Sequence, residues 1–208
     1  EIVEWAVHLR RFDEHATLDR LAAAGPLGPD LVDAIARAVE DAHRKAPRQD
    51  GSAATAALRA VVVETGHALC AAADIFPAEA AAALRAALMA AYDRIEPLLL
   101  ERGRAGQVRR CHGDLHLGNL ALIDGTPVLF DALEFDEAIA TTDILYDLAF
   151  LVMDLCERGL GPDANRLLNR YLAGSENQVL QIEGLAAFPL FLSLRSAIRA
   201  KVLAAQSQ

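Results

Sequence analysis

The stretch CHGDLHLGNLALIDGTPVLFDALEFD, residues 111–136, holds the most polar and least regular run of the chain inside a frame of short apolar segments. Residues 108–111 read as a short strand, and His112-Gly113-Asp114 opens a loop that ends near Asn119. Residues 120–123 and 127–130 read as two apolar strands joined by Asp124-Gly125, a strong hairpin-turn pair. A hairpin returns its ends to within a strand spacing or two, so Asp131 at the far base can face the loop that bears Asn119. Asp114 would remain free for a substrate. The amide oxygen of Asn119 and the carboxylate of Asp131 would suit a hard cation such as magnesium, which prefers oxygen ligands and keeps part of its water shell.

Outward from this stretch the pattern is mostly helical. Asp13 is placed to cap a short helix carrying Leu18 and Leu21, which Gly25-Pro26 breaks. A second helix is expected over about 29–43, with Leu31, Ile35 and Val39 at helical spacing and Pro29 at its first turn. Residues 47–52 read as a polar loop. Two Ala-rich helices follow over about 53–73 and 78–101, separated at Phe76-Pro77, since Ala is the strongest helix former. Further helices are expected over 143–157, capped by Asp143, over 163–173, and from 179 onward with punctuation at Pro189. Ahead of all these, Val3, Trp5, Val7 and Leu9 alternate with polar or small residues, the period of a half-buried strand. The expected fold class is α+β, mostly helical, with a small central β-hairpin.

Composition narrows the partners. The 208 residues, 53% hydrophobic, can build one sizeable core. A formal net charge of −9 and the lack of any Lys/Arg run argue against nucleic acid as a partner and would suit a cationic small molecule. Cys70, Cys111 and Cys156 are widely spaced and form no CxxC pair, which points to three reduced, mostly buried thiols in a cytoplasmic protein. No signal peptide opens the chain and no uncharged apolar run reaches transmembrane length, so no membrane partner is expected. The chain opens on Glu1 rather than Met, which suggests further sequence upstream. Oligomeric state is not readable from it.

The ordered set resembles a known family. HGDLHLGN is similar to the catalytic loop of the aminoglycoside phosphotransferases, small-molecule relatives of the protein kinases, whose own loop is HRDxxxxN. Asp131 in LFDALEFD matches the metal-binding Asp that kinases carry in their DFG segment. The resemblance implies the C-terminal lobe of a protein-kinase-like fold. ATP would be the phosphoryl donor, Mg2+ the metal, and a small molecule with a hydroxyl the acceptor. In that scheme Asp114 is the catalytic base, Asn119 and Asp131 are the metal ligands, and His112 organises the loop. The run FDEAIATTDILYDLAFLVMDL resembles the helix after the metal site, with Asp147 tying down the catalytic loop through its backbone. LRSAIRAKV resembles the closing helix of a bacterial branch sometimes fused to a P-loop ATPase domain. Residues 1–12 would then be the last strand of the N-lobe and its hinge, and residues 13–208 the helical C-lobe.

Other readings stay open residue by residue. Asp114 or Asp131 taken alone is equally at home capping a turn, and His116 could face a substrate or make a structural hydrogen bond. Glu134 and Asp136 could contact a cationic substrate or a metal, or simply be solvated. Arg195, Arg199 and Lys201 form a helical stripe expected to face solvent. The chain contains no GxGxxG or GxxxxGK[ST], and its first lysine is Lys45. A non-catalytic kinase-like binding or regulatory module is therefore the alternative to a kinase, and a metal-dependent phosphohydrolase using the same acids is a third reading.

Overall fold

The structure is a computed structural model and describes residues 13–134 and 137–206. The strand and hinge expected over 1–12 lie outside the described residues, as does Asp136.

The architecture is α+β and mostly helical, as the sequence implies. Asp13 accepts a hydrogen bond from His15 N and starts a single 3-10 turn, and α1 (Leu18–Ala23) begins beyond it. α2 (Pro29–Lys45) buries Val32, Ile35, Ala36, Val39 and His43, one stripe at helical spacing. α3 (Gly51–Ala71) starts two residues earlier than expected, because the Asp50 carboxylate accepts the amides of Ser52 and Ala53 and caps it there. α4 (Ala78–Arg104) returns antiparallel to α3. The hydroxyl of Tyr92 donates to Thr55 O at 2.8 Å, about one turn in from the start of α3. At one end Gly51 meets Gly103 so closely that a Cβ on Gly51 would lie 2.3 Å from the Gly103 Cα.

Two small antiparallel sheets interrupt the helices. β1 (Val108–Arg110) pairs with β4 (Thr141–Asp143), with Arg109 opposite Thr142. The first strand was legible; its partner lies in polar TTD and was not. β2 (Leu120–Ile123) and β3 (Thr126–Leu129) form the expected hairpin, the second strand shifted one residue toward the turn. Its two turn residues Asp124 and Gly125 have φ of 50° and 76°, as a tight turn matching strand twist demands.

The short helix α5 (Glu137–Ala140) leads into β4 and then α6 (Ile144–Glu157), buried along nearly all its length. α7 (Gly161–Gly174), α8 (Gln178–Gly184) and α9 (Phe188–Gln206) complete the lobe. Pro189 sits in the first turn of α9, where its missing N–H costs nothing, and so marks the break expected between the last helices. The stretch Gln178–Gln206 is apolar enough by composition to cross a membrane, yet 44% of its most apolar window is buried inside the lobe. Phe188, Leu190, Phe191 and Leu194 spend that apolarity on the core. Of the cysteines, Cys111 is buried, Cys70 half-buried and Cys156 exposed, so the expectation of mostly buried thiols holds for one of the three.

An ion pair fixes where the sheets meet the helices. Arg102 of α4, fully buried, makes a two-pronged contact with Asp143 at 2.7 and 2.8 Å. Asp143 also accepts the Leu145 amide at 2.8 Å, which is the expected cap of α6. Leu115, Leu117 and Leu120 are wholly buried, so the 112–119 loop is plugged into the core by its apolar positions. Each such leucine contributes about 1.5–3 kcal/mol.

Candidate active site

Two acids of α6 grip the loop from below. Asp147, fully buried, accepts the amides of His112 at 3.3 Å and Gly113 at 2.9 Å. It also contacts His43 Nε2 at 3.1 Å, and His43 Nδ1 in turn meets the Tyr171 hydroxyl at 2.8 Å. Burial alone would raise the Asp147 pKa, but the His43 hydrogen bond and the surrounding positive charge hold it below the usual carboxylate range. Two helical turns on, Asp154 accepts the Leu117 amide at 2.9 Å and pairs with Arg199 and Arg158. Its burial is likewise outweighed, here by Arg199 and the Leu117 amide, and its pKa is also lowered. The loop backbone is thus fixed at both ends by ionised carboxylates in the core.

The upper side of the loop is chemically open. Asn119 donates its amide N–H groups to Asp114 O at 2.9 Å and to Asp114 Oδ2 at 3.1 Å. That leaves Asn119 Oδ1 without a hydrogen bond among the described residues. His116 Nε2 stands 3.4 Å from Asp114 Oδ2, while its Nδ1 accepts the Gly118 amide at 3.1 Å and its ring meets Phe150 edge-on. The structural reading of His116 is thus the one observed: it supports the turn and also touches the acid. Contact with His116 lowers the Asp114 pKa, partial burial opposes this, and the Asn119 amide adds to the lowering. Asp114 is about 41% exposed and carries its charge to the surface of the loop.

The hairpin delivers Asp131 to the same place. Phe130 N donates to Asn119 O at 3.1 Å, and Phe130 O meets His112 Nε2 at 2.8 Å. Leu133 N then donates to His112 O at 3.0 Å. The backbone on either side of Asp131 is therefore stitched to both ends of the loop. Asp131 itself is exposed, adopts φ of 58°, a conformation rare outside glycine, and has no hydrogen bond to its carboxylate among the described residues. Held this way, the chain turns a carboxylate outward where a regular strand would not. Glu134 is exposed beyond it.

A family model described as a phosphotransferase enzyme family matches residues 4–181. The chain belongs to the phosphotransferase enzyme family. Uncharacterised proteins of Mycobacterium bovis and of two strains of Mycobacterium tuberculosis are each 32% identical to it over 107 residues. That segment covers 51% of this chain and 21% of each relative, so the match reaches about a fifth of their length. No solved structure matches it significantly.

Phosphotransferases need oxygen ligands for a divalent ion beside a base, and these residues fit. Asn119 Oδ1 and the Asp131 carboxylate are unclaimed oxygens at the loop end and hairpin base. His112 contacts Phe130 O through Nε2 and has its backbone tethered by Asp147, and its Nδ1 has no partner among the described residues. A second cluster, His43, Cys111 and Asp147, has its donor atoms within 4.8 Å of one another. Its histidine and carboxylate are already committed to Tyr171 and the loop amides, and burial with nearby Asp147 and Asp143 pushes the Cys111 thiol up. It is a hydrogen-bonded core, the wrong state for a metal ligand.

Asp114 opens on a cleft of about 790 Å³ walled by Phe150, Arg158, Arg195 and the end of α9. Here the expected solvated stripe is corrected. Arg195 is 6% exposed, lying 4.1 Å over the Tyr146 ring and 4.7 Å from Phe150, and Arg199 is drawn into the Asp154 pair. The apolar face of α9 turns the guanidiniums inward onto α6, which the i, i+4 spacing alone did not disclose. The sequence reading also missed Asp154, though its seven-residue spacing from Asp147 in an otherwise apolar helix is a readable signal.

Proposed function

We propose that this chain carries the acceptor-activating half of a kinase that moves the γ-phosphoryl group of ATP to a small-molecule hydroxyl. The observation that supports this most is the division of labour around Asn119. Its N–H groups steady Asp114, and its free oxygen lies at the loop end joined to the hairpin that carries Asp131. In this reading Asp114 accepts the acceptor's hydroxyl proton. The hydroxyl oxygen bonds to the γ-phosphorus, the bond from phosphorus to the β-bridging oxygen breaks, and ADP leaves with that electron pair. Asn119 and Asp131 would hold Mg2+, which when bound neutralises phosphate charge. His112 and Asp147 keep the loop in shape, and Asp114, already ionised at neutral pH, needs no prior deprotonation.

The test is acceptor-dependent ADP formation by the complete protein, since this chain by itself is expected to be inactive or weak. Turnover should vanish in Asp114→Ala while calorimetric binding of magnesium–ATP survives; unchanged turnover removes Asp114 from the role of base. The alternative is a non-catalytic kinase-like module. It predicts no metal-dependent ATP binding in the same titration.

A further inference from the structure

The cleft beside Asp114 does not end at α9. A second cavity of about 380 Å³ lies between α3 and α9, and the two share Ile139, Arg195 and Ile198 as common wall. Ala57, Leu58, Val61 and Tyr146 line the second cavity, which makes it predominantly apolar. Of its charged members, Glu64 and Lys201 pair with each other at 3.3 Å. The two cavities thus lie side by side, with Arg195 in the wall between the cleft of an ionised acid and an apolar trough.

The charges along these walls are not balanced evenly. Arg199 is matched by Asp154 and Glu157, and Arg158 by Asp154. Arg195 has no carboxylate partner among the described residues. Among those residues its guanidinium donates at 3.3 Å from Nη2 to Gly113 O, and its buried Nε meets no acceptor. The Tyr146 and Phe150 faces attract the guanidinium but satisfy none of its in-plane donors. A nearly buried cation with unspent donors costs stability unless a ligand completes it, and a planar guanidinium suits a carboxylate or phosphate.

Resting on the kinase reading above, we infer that the acceptor is an apolar-bodied hydroxy compound with an anionic group, its anion received by Arg195 and its body lying in the groove between α3 and α9. A polycation, which the net charge of the whole chain would suit, meets the wrong sign at this wall. The local unpaired charge decides, because bulk charge acts through solvent and is screened over about 10 Å at 0.1 M salt.

The experiment is calorimetric binding, without nucleotide, of 3-hydroxydecanoate, its methyl ester and the matching amine 1-amino-3-decanol. The acid should bind roughly tenfold tighter than the ester, the size of one added charge-assisted contact. Arg195→Gln should remove that preference with the melting temperature retained, and Arg195→Lys should restore part of it. Ile198→Trp, which narrows the groove without touching the charge, should weaken acid and ester alike. Equal binding of ester or amine, no binding of the acid, or a preference that survives Arg195→Gln overturns the inference. So does an Arg195→Gln protein with unchanged affinities whose turnover falls on every acceptor, since Arg195 would then serve the transferred phosphoryl group. Because binding is read without ATP, a preferred acid that is never phosphorylated would sink the kinase reading and leave the groove's ligand standing.

Discussion

The acids of α6 and the acids of the loop and hairpin are the same chemical groups put to opposite uses. Asp147 and Asp154 are 0% and 1% exposed, and their oxygens are consumed by loop amides and by cations. Asp114 and Asp131 stand at the surface, one steadied by an amide and a histidine, the other unclaimed. The difference teaches that the first pair builds the backbone shape the second pair works from. Satisfied carboxylates hold geometry; only carboxylates with oxygens to spare can meet a proton or a metal.

The sharpest way to break this comparison is to exchange its outcomes. Asp114→Ala should lower turnover by about 100- to 10,000-fold, the usual worth of a positioned base, and leave the urea midpoint nearly unmoved. Asp147→Ala should do the reverse first. It strands His43 and two loop amides in the core, and equilibrium unfolding should record a loss of about 3–5 kcal/mol. Should Asp114→Ala prove the less stable of the two, the division between scaffold and chemistry is wrong.

A pH titration separates the pairs further. The folded-state pKa values of Asp147 and Asp154 lie below the ordinary 3.8. Their contribution to stability is therefore fully present above that value and lost as pH falls through the lowered folded values. Urea midpoints should decline steeply only below about pH 4. In Asp154→Asn the decline should be shallower and begin from a lower plateau. An equally steep acid limb in that variant would show that other groups set it.

How much of this was legible beforehand depends on whether a residue's role is set locally. The Asp124-Gly125 turn, the hairpin and the HxD…N loop are local patterns, and at the hairpin base the residue before Asp131 bonds its backbone to Asn119. The tie from Asp147 to the loop came from family resemblance and appears as two amide bonds. The roles of Arg195 and Arg199 were misread, because which way a helix faces is decided by what packs against it. Arg102 with Asp143 and His43 with Asp147 were also out of reach, since such pairs join residues 41 and 104 apart along the chain. The 1–12 strand and hinge remain an expectation, since they lie outside the described residues.

The smallest effect is the control that keeps exposure from being mistaken for function. Asp50 is exposed like Asp131, but its carboxylate serves the amides of Ser52 and Ala53 at the start of α3. Asp50→Ala should cost about 1 kcal/mol in urea unfolding, the ordinary worth of a helix cap, with turnover unchanged. The neighbouring contact of Gly51 with Gly103 pins the helix end in place, so the lost cap cannot be compensated by shifting the helix start. A fall in turnover comparable to that of Asp114→Ala would mean that the α3 end communicates with the loop, and that surface position alone does not separate the two kinds of acid.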